Sequence, residues 1–95
     1  MNEYETVMII KPDVNYIPKV IYKFINLINA NGAVIRVEDI GIKKLAYSIK
    51  KNTQGYYAVI KFEARPEFIQ ELERVYKITD EVIKFITVKT ESESD

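Results

Sequence analysis

The sequence predicts an α+β fold, a four-stranded antiparallel sheet with two helices on one face. Three observations carry that expectation. Two segments repeat apolar residues at three- and four-residue steps, the period of a helix face. Four others are short, apolar and rich in β-branched or aromatic residues. Glycines and prolines, three of each, mostly punctuate the boundaries between them.

The first strand is Tyr4–Ile10, and Lys11-Pro12-Asp13 turns the chain after it. The first helix is expected over 16–31, with Ile17, Val20, Ile21, Phe24 and Ile28 as its apolar stripe. Pro18 suits its first turn, where a missing N–H costs nothing. Asn31-Gly32 suits a left-handed stop. The second strand starts at Val34, kinks or bulges at Gly41 and resumes to Ile49. Lys51 to Gly55 reads as a polar turn, and Tyr56–Glu63 as the third strand, so the two strands form a long hairpin. Pro66 opens a second helix over 66–78, with Phe68, Ile69, Leu72, Val75 and Tyr76 on its apolar side. Val82–Lys89 is the fourth strand, of unsettled parity because Ile83, Phe85, Ile86 and Val88 are all apolar. A domain over 1–89 is followed by an acidic, disordered tail over 90–95.

The order βαββαβ with right-handed crossovers is the ferredoxin-like arrangement. It leaves one sheet face without helices. Alternation along the strands puts Ala58, Ile60 and Phe62 toward the helices. Val7, Ile9, Tyr57 and Val59 fall on the other face, where a surface for a protein partner competes with scattered surface apolar residues as the reading.

The 95 residues suit one small domain. No cysteine excludes a disulfide framework and a thiolate metal site. No histidine removes the commonest general base and zinc ligand. Ser48 lies in a strand without a nucleophile elbow, and the glycines form no phosphate-cradling loop. The adjacent pairs Glu38-Asp39 and Asp80-Glu81 read as solvated carboxylates. The chain is therefore expected not to be an enzyme and to hold no cofactor or metal. No apolar run approaches a membrane span, and the acidic start lacks the pattern of a secretory signal, so an intracellular protein is expected.

Fourteen basic residues balance fourteen acidic ones, but unevenly along the chain. Residues 41–65 hold six basic side chains and one acid, Glu63; residues 66–95 hold eight acids and four basic residues. The hairpin carries Lys43, Lys44, Lys50 and Lys51, with Tyr47, Asn52 and Gln54 interleaved. Lysines meet phosphates, a tyrosine stacks on bases and amides bond base edges, so these seven are the candidate RNA contacts. Lysines that guard a hairpin edge against aggregation are the competing reading. Tyr47 shares parity with Leu45 and Ile49, so a packed tyrosine competes with a stacking one. Gln54–Lys61 matches the third-strand string of the RNA-recognition motif only at Gly55, Tyr56 and Val59, which disfavours base stacking on the open sheet.

The run Gly41-Ile42-Lys43-Lys44-Leu45-Ala46-Tyr47-Ser48-Ile49 resembles the signature of the bacterial small-subunit ribosomal protein S-six family. Tyr4-Glu5, Asn31-Gly32-Ala33, Gln54-Gly55-Tyr56 and Val88-Lys89 agree, and the likeness covers about residues 3–89. The resemblance implies a structural protein of the small ribosomal subunit. With the S-eighteen ribosomal protein it would bind a junction in the central domain of the small-subunit ribosomal RNA. Its place would be the cytoplasmic ribosome or an organelle ribosome. No membrane and no small-molecule substrate are expected, and the isolated chain is expected to be a monomer. The competing classes are a ferredoxin-like single-stranded RNA-binding domain, a small-molecule regulatory domain and a small hydrolase. The hydrolase would need an arginine in an anion-binding loop after the first strand, and Lys11-Pro12-Asp13 lacks it.

Overall fold

A computed structural model describes residues 1–90. The elements run β1 (Asn2–Ile10), α1 (Ile17–Asn31), β2 (Gly32–Ile49), β3 (Asn52–Ala64), α2 (Pro66–Lys77) and β4 (Val82–Thr90). The sheet order is β2-β3-β1-β4, with every neighbouring pair antiparallel. Thr90, expected in the tail, pairs with Glu3 and closes β4. The rest of the expected tail, 91–95, lies outside the described residues.

Both helices cover one sheet face. Tyr4, Thr6, Met8 and Ile10 of β1 are buried there beside Ala58, Ile60, Phe62 and Ala64 of β3. Val20, Ile21, Phe24 and Ile28 of α1, with Phe68, Leu72 and Tyr76 of α2, close over them. The Tyr76 ring stacks between Phe24 and Phe85, at centroid distances of 4.3 and 4.8 Å. Its hydroxyl meets Thr6 Oγ1 at 2.8 Å, and Thr6 meets Thr87 Oγ1 at 2.9 Å. The chain of hydroxyls satisfies groups that would otherwise be buried without partners. Burial pushes the Tyr76 phenol pKa well up, opposed by the Thr6 hydrogen bond.

α1 passes straight into β2. Gly32 is not the expected left-handed stop, because its φ of −174° is extended backbone. A glycine is needed there for close approach: a Cβ would fall on the carbonyl oxygen of Glu63 in β3. The junction is tied by side chains instead. Asn31 Nδ2 donates to the Leu27 carbonyl, and the Val34 N–H donates to Asn29 Oδ1, each at 2.9 Å.

β4 resolves its parity with a register shift. Ile9 pairs with Lys84 while Ile10 pairs with Val82, so Ile83 is the extra residue. Val82 and Phe85 join the helix-side core, whereas Ile83 joins a cluster on the other face. A strand that changes parity in this way has no single alternation to read.

Candidate nucleic-acid interface

The hairpin differs from its expected form at its tip. The turn is not Lys51 to Gly55 but the two residues Lys50 and Lys51, with φ of 48° and 69°. This is the left-handed pair that a right-twisted two-residue hairpin turn requires, normally given to Asn or Gly. Asn52 Nδ2 donates to the carbonyls of Ile49 at 3.3 Å and Lys50 at 3.1 Å, bracing the turn. Its amide donors are thereby engaged at home. Gln54 lies exposed in β3 opposite Lys44, and Gly55 lies in β3 opposite Lys43.

Gly41 bulges β2 as expected, with φ 102° and a register shift beside it. A larger irregularity follows. Lys44 pairs with Gln54, yet the next pair is Ile49 with Asn52, so Leu45 to Ser48 arch out of the ladder. The arch folds toward the face without helices. Leu45 is buried against Ile9 and Ile83, with Ile49 and Tyr57 packed alongside. Gly55 makes room, since a Cβ there would fall on Ile9 Cγ2.

Tyr47 stands at the crown of the arch, 63 % exposed, which decides against a core tyrosine. Its ring reaches β4, where Lys84 Nζ lies 3.2 Å from the hydroxyl, donating to it, and 5.6 Å from the ring centroid. Lys43, Lys44, Lys50 and Lys51 are all exposed. Lys43 shares a face with Gly55 and Lys44 the opposite face with Gln54, so the pair straddles the hairpin. Among the described residues, the ion pairs are Arg36–Glu38, Lys61–Glu3 and Arg74–Glu71, and none engages a hairpin lysine.

The expected partner face divides. Val7, Tyr57 and Val59 are half-buried on it, but Ile9 is only 7 % exposed beneath Leu45. The face is therefore not bare, because the hairpin arch covers one end. Sequence alternation missed Ile86 and Val88, about half exposed, which extend the apolar strip onto β4. These residues and Tyr47, Val7 and Tyr57 line a groove of about 390 Å³.

Two further lysines were also missed. Lys77 at the end of α2 and Lys84 in β4 share a depression of about 310 Å³ with Lys50. Lys77 reads from sequence as a helix C-terminal cation, and Lys84 sits in an ambiguous strand. Only the pairing of β4 with β1 and the folding back of the hairpin bring them to Lys50.

Among the described residues, no His/Cys/Asp/Glu group could hold a metal ion, and no helix is long and apolar enough to cross a membrane. The element order and sheet topology define a small ferredoxin-like α+β protein. The family model of ribosomal protein S6 matches residues 3–89. The small ribosomal subunit protein bS6 of Clostridium novyi is 44% identical over 94 residues, covering 96% of this chain and 99% of that one. The bS6 protein of Moorella thermoacetica is 40% identical over 97 residues, covering 99% of each. The crystal structure of 30S ribosomal protein S6 from Thermotoga maritima superposes with a TM-score of 0.88 at 33% identity, over 94% of this chain and 87% of that one. The chain belongs to the ribosomal protein S6 family. It is a ribosomal protein of the small subunit, resident on the cytoplasmic ribosome, and not an enzyme.

Proposed function

We propose that the chain is a structural component that binds the central domain of small-subunit ribosomal RNA through the β2–β3 hairpin. The S-eighteen ribosomal protein is the proposed partner on the sheet face without helices. The observation that carries the RNA reading is the exposed hairpin end. Four lysines stand there without a carboxylate partner among the described residues, beside a largely exposed Tyr47. Gln54 and the Oδ1 of Asn52 supply hydrogen-bonding groups at the same end. The partner reading is supported by the apolar strip of Val7, Tyr57, Val59, Ile86 and Val88. That strip buries its apolar area only when another surface covers it.

The net charge of zero sets the expected behaviour. Affinity for RNA follows the number of phosphates neutralised, so the isolated monomer binds weakly and a basic partner supplies the missing charge. Titration of the ribosomal junction, with and without the partner protein, tests this. Lys43→Ala with Lys44→Ala is expected to lower the salt slope of the three-component complex by about one or two units, at about 0.9 per lost phosphate contact. An unchanged slope with the protein still folded removes that lysine pair from the RNA surface.

A further inference from the structure

Lys50, Lys77 and Lys84 come from three different elements: the hairpin turn, the end of α2 and the start of β4. They line one depression of about 310 Å³, floored by Tyr76, Val82, Ile83 and Phe85. Among the described residues, no carboxylate lines it. The acids nearest in sequence are Asp80 and Glu81, and Glu81 lines a separate cleft with Lys19 and Lys23. None of the three lysines takes part in an ion pair among the described residues.

Like charges held together by a fold repel one another unless an anion sits between them. The α2 terminus does not fill that role. Three of its last four carbonyls already accept hydrogen bonds: Arg74 and Tyr76 from the N–H groups of Ile78 and Thr79, and Val75 from Thr79 Oγ1. The apolar floor offers no counter-charge either. Lys84 also links the depression to Tyr47, whose hydroxyl accepts from its ammonium. A cationic seat therefore lies directly beside an exposed aromatic ring. Lysines that hold the backbone phosphates beside an aromatic ring on which a base stacks are the combination that single-stranded nucleic acid binders use.

We propose that Lys50, Lys77 and Lys84 form a seat for a backbone phosphate of single-stranded RNA, with Tyr47 as the platform on which an adjoining base stacks. The seat deepens the RNA reading of the hairpin and rests on it, but it adds Lys77 and Lys84, which that reading does not use. It carries the RNA path past the hairpin tip and over the β4 end of the sheet.

The test titrates the full chain with a fluorescein-labelled oligouridylate at low ionic strength and across a salt series. Lys77→Ala with Lys84→Ala is expected to weaken binding and to flatten the salt dependence by about one unit or more, at about 0.7 per contact on a single strand. Lys77→Arg with Lys84→Arg is expected to retain the wild-type slope, because it keeps the charges. Tyr47→Leu is expected to weaken binding with the slope unchanged, since it removes stacking and no charge. Circular dichroism confirms that each variant is folded, and Lys77→Gln with Lys84→Gln replaces the alanine pair if that pair is not.

Lys43→Ala with Lys44→Ala separates the two readings. A loss there, with the Lys77 and Lys84 variant unchanged, overturns the seat and keeps the hairpin. The reverse keeps the seat and removes that hairpin pair. An unchanged affinity in Tyr47→Leu overturns the platform. No binding of oligouridylate by the wild-type chain, or equal binding of oligoglutamate, overturns the proposal.

Discussion

The two faces of the sheet both bury apolar residues, but they do so at different scales. Under the helices, β1, β3, α1 and α2 contribute a continuous core with Met8, Ile10, Phe24, Ile28, Ile60, Phe62 and Leu72 fully enclosed. On the opposite face, among the described residues, the buried hydrophobic cluster is Ile9, Leu45 and Ile83, and the cover is the chain's own hairpin arch. The helix face is a closed solvent-excluded layer. The other face is a small patch at one end of the sheet, continued by the half-exposed Val7, Ile86 and Val88. The difference assigns stability mainly to one face and leaves apolar area exposed on the other, where the proposed partner would sit. It also shows how a small protein stabilises an irregular segment of strand: Leu45 anchors the arch that lifts Tyr47 into solvent.

Three substitutions test this division, in falling order of effect. Leu72 is fully enclosed at the centre of α2. Leu72→Ala is expected to cost about 2–5 kcal/mol, a large share of a small domain's stability. Chemical denaturation reads it directly, and an unchanged midpoint would show that the helix face is not the main core.

Leu45→Ala strikes the opposite face. Its cavity would open near the sheet end, where water and neighbouring chain can relax into it. The expected cost is about 2 kcal/mol, the low end of the range for such a truncation. The arch would lose its anchor at the same time. RNA and partner binding are therefore expected to fall more than the stability loss alone explains. A cost equal to that of Leu72→Ala, with binding intact in the folded fraction, would erase the contrast.

Tyr76→Phe is the gentlest and sharpens the chemistry of the helix face. It removes the hydroxyl that meets Thr6, while Thr6 keeps Thr87. The expected cost at neutral pH is about 1 kcal/mol. The folded phenol holds its proton more tightly than the unfolded one, because burial raises its pKa. Its stabilising contribution is therefore whole below the unfolded value of about 10 and is lost as pH rises beyond it. The difference in stability between wild type and variant should shrink above that pH, and a constant difference would show that the phenol is not buried.

Much of this was legible in the sequence. The stripes Val20, Ile21, Phe24, Ile28 and Phe68, Leu72, Tyr76 are the buried faces of both helices. The alternation Ala58, Ile60, Phe62 gave the correct inner face of β3, and Gly41 marked a bulge. Local period and local backbone preference are properties of a short stretch of chain, so a short stretch reveals them. The hairpin tip was less legible, because nothing in Lys50-Lys51 advertises a left-handed turn. The turn is imposed by the register of β2 on β3 and braced by Asn52.

The sequence by itself determined the element order, the helix-side core and the concentration of lysine in the hairpin. Those follow from periodicity and from counting charges along the chain. Tertiary structure decided the burial of Ile9 beneath Leu45, the split parity of β4 and the exposure of Tyr47. It also decided that Lys50, Lys77 and Lys84 share one depression. Residues 50, 77 and 84 meet only when α2 packs on the sheet, β4 pairs with β1 and the hairpin folds back across the end. Convergence of charge from distant segments is set by strand register and loop path, and neither is written in local periodicity.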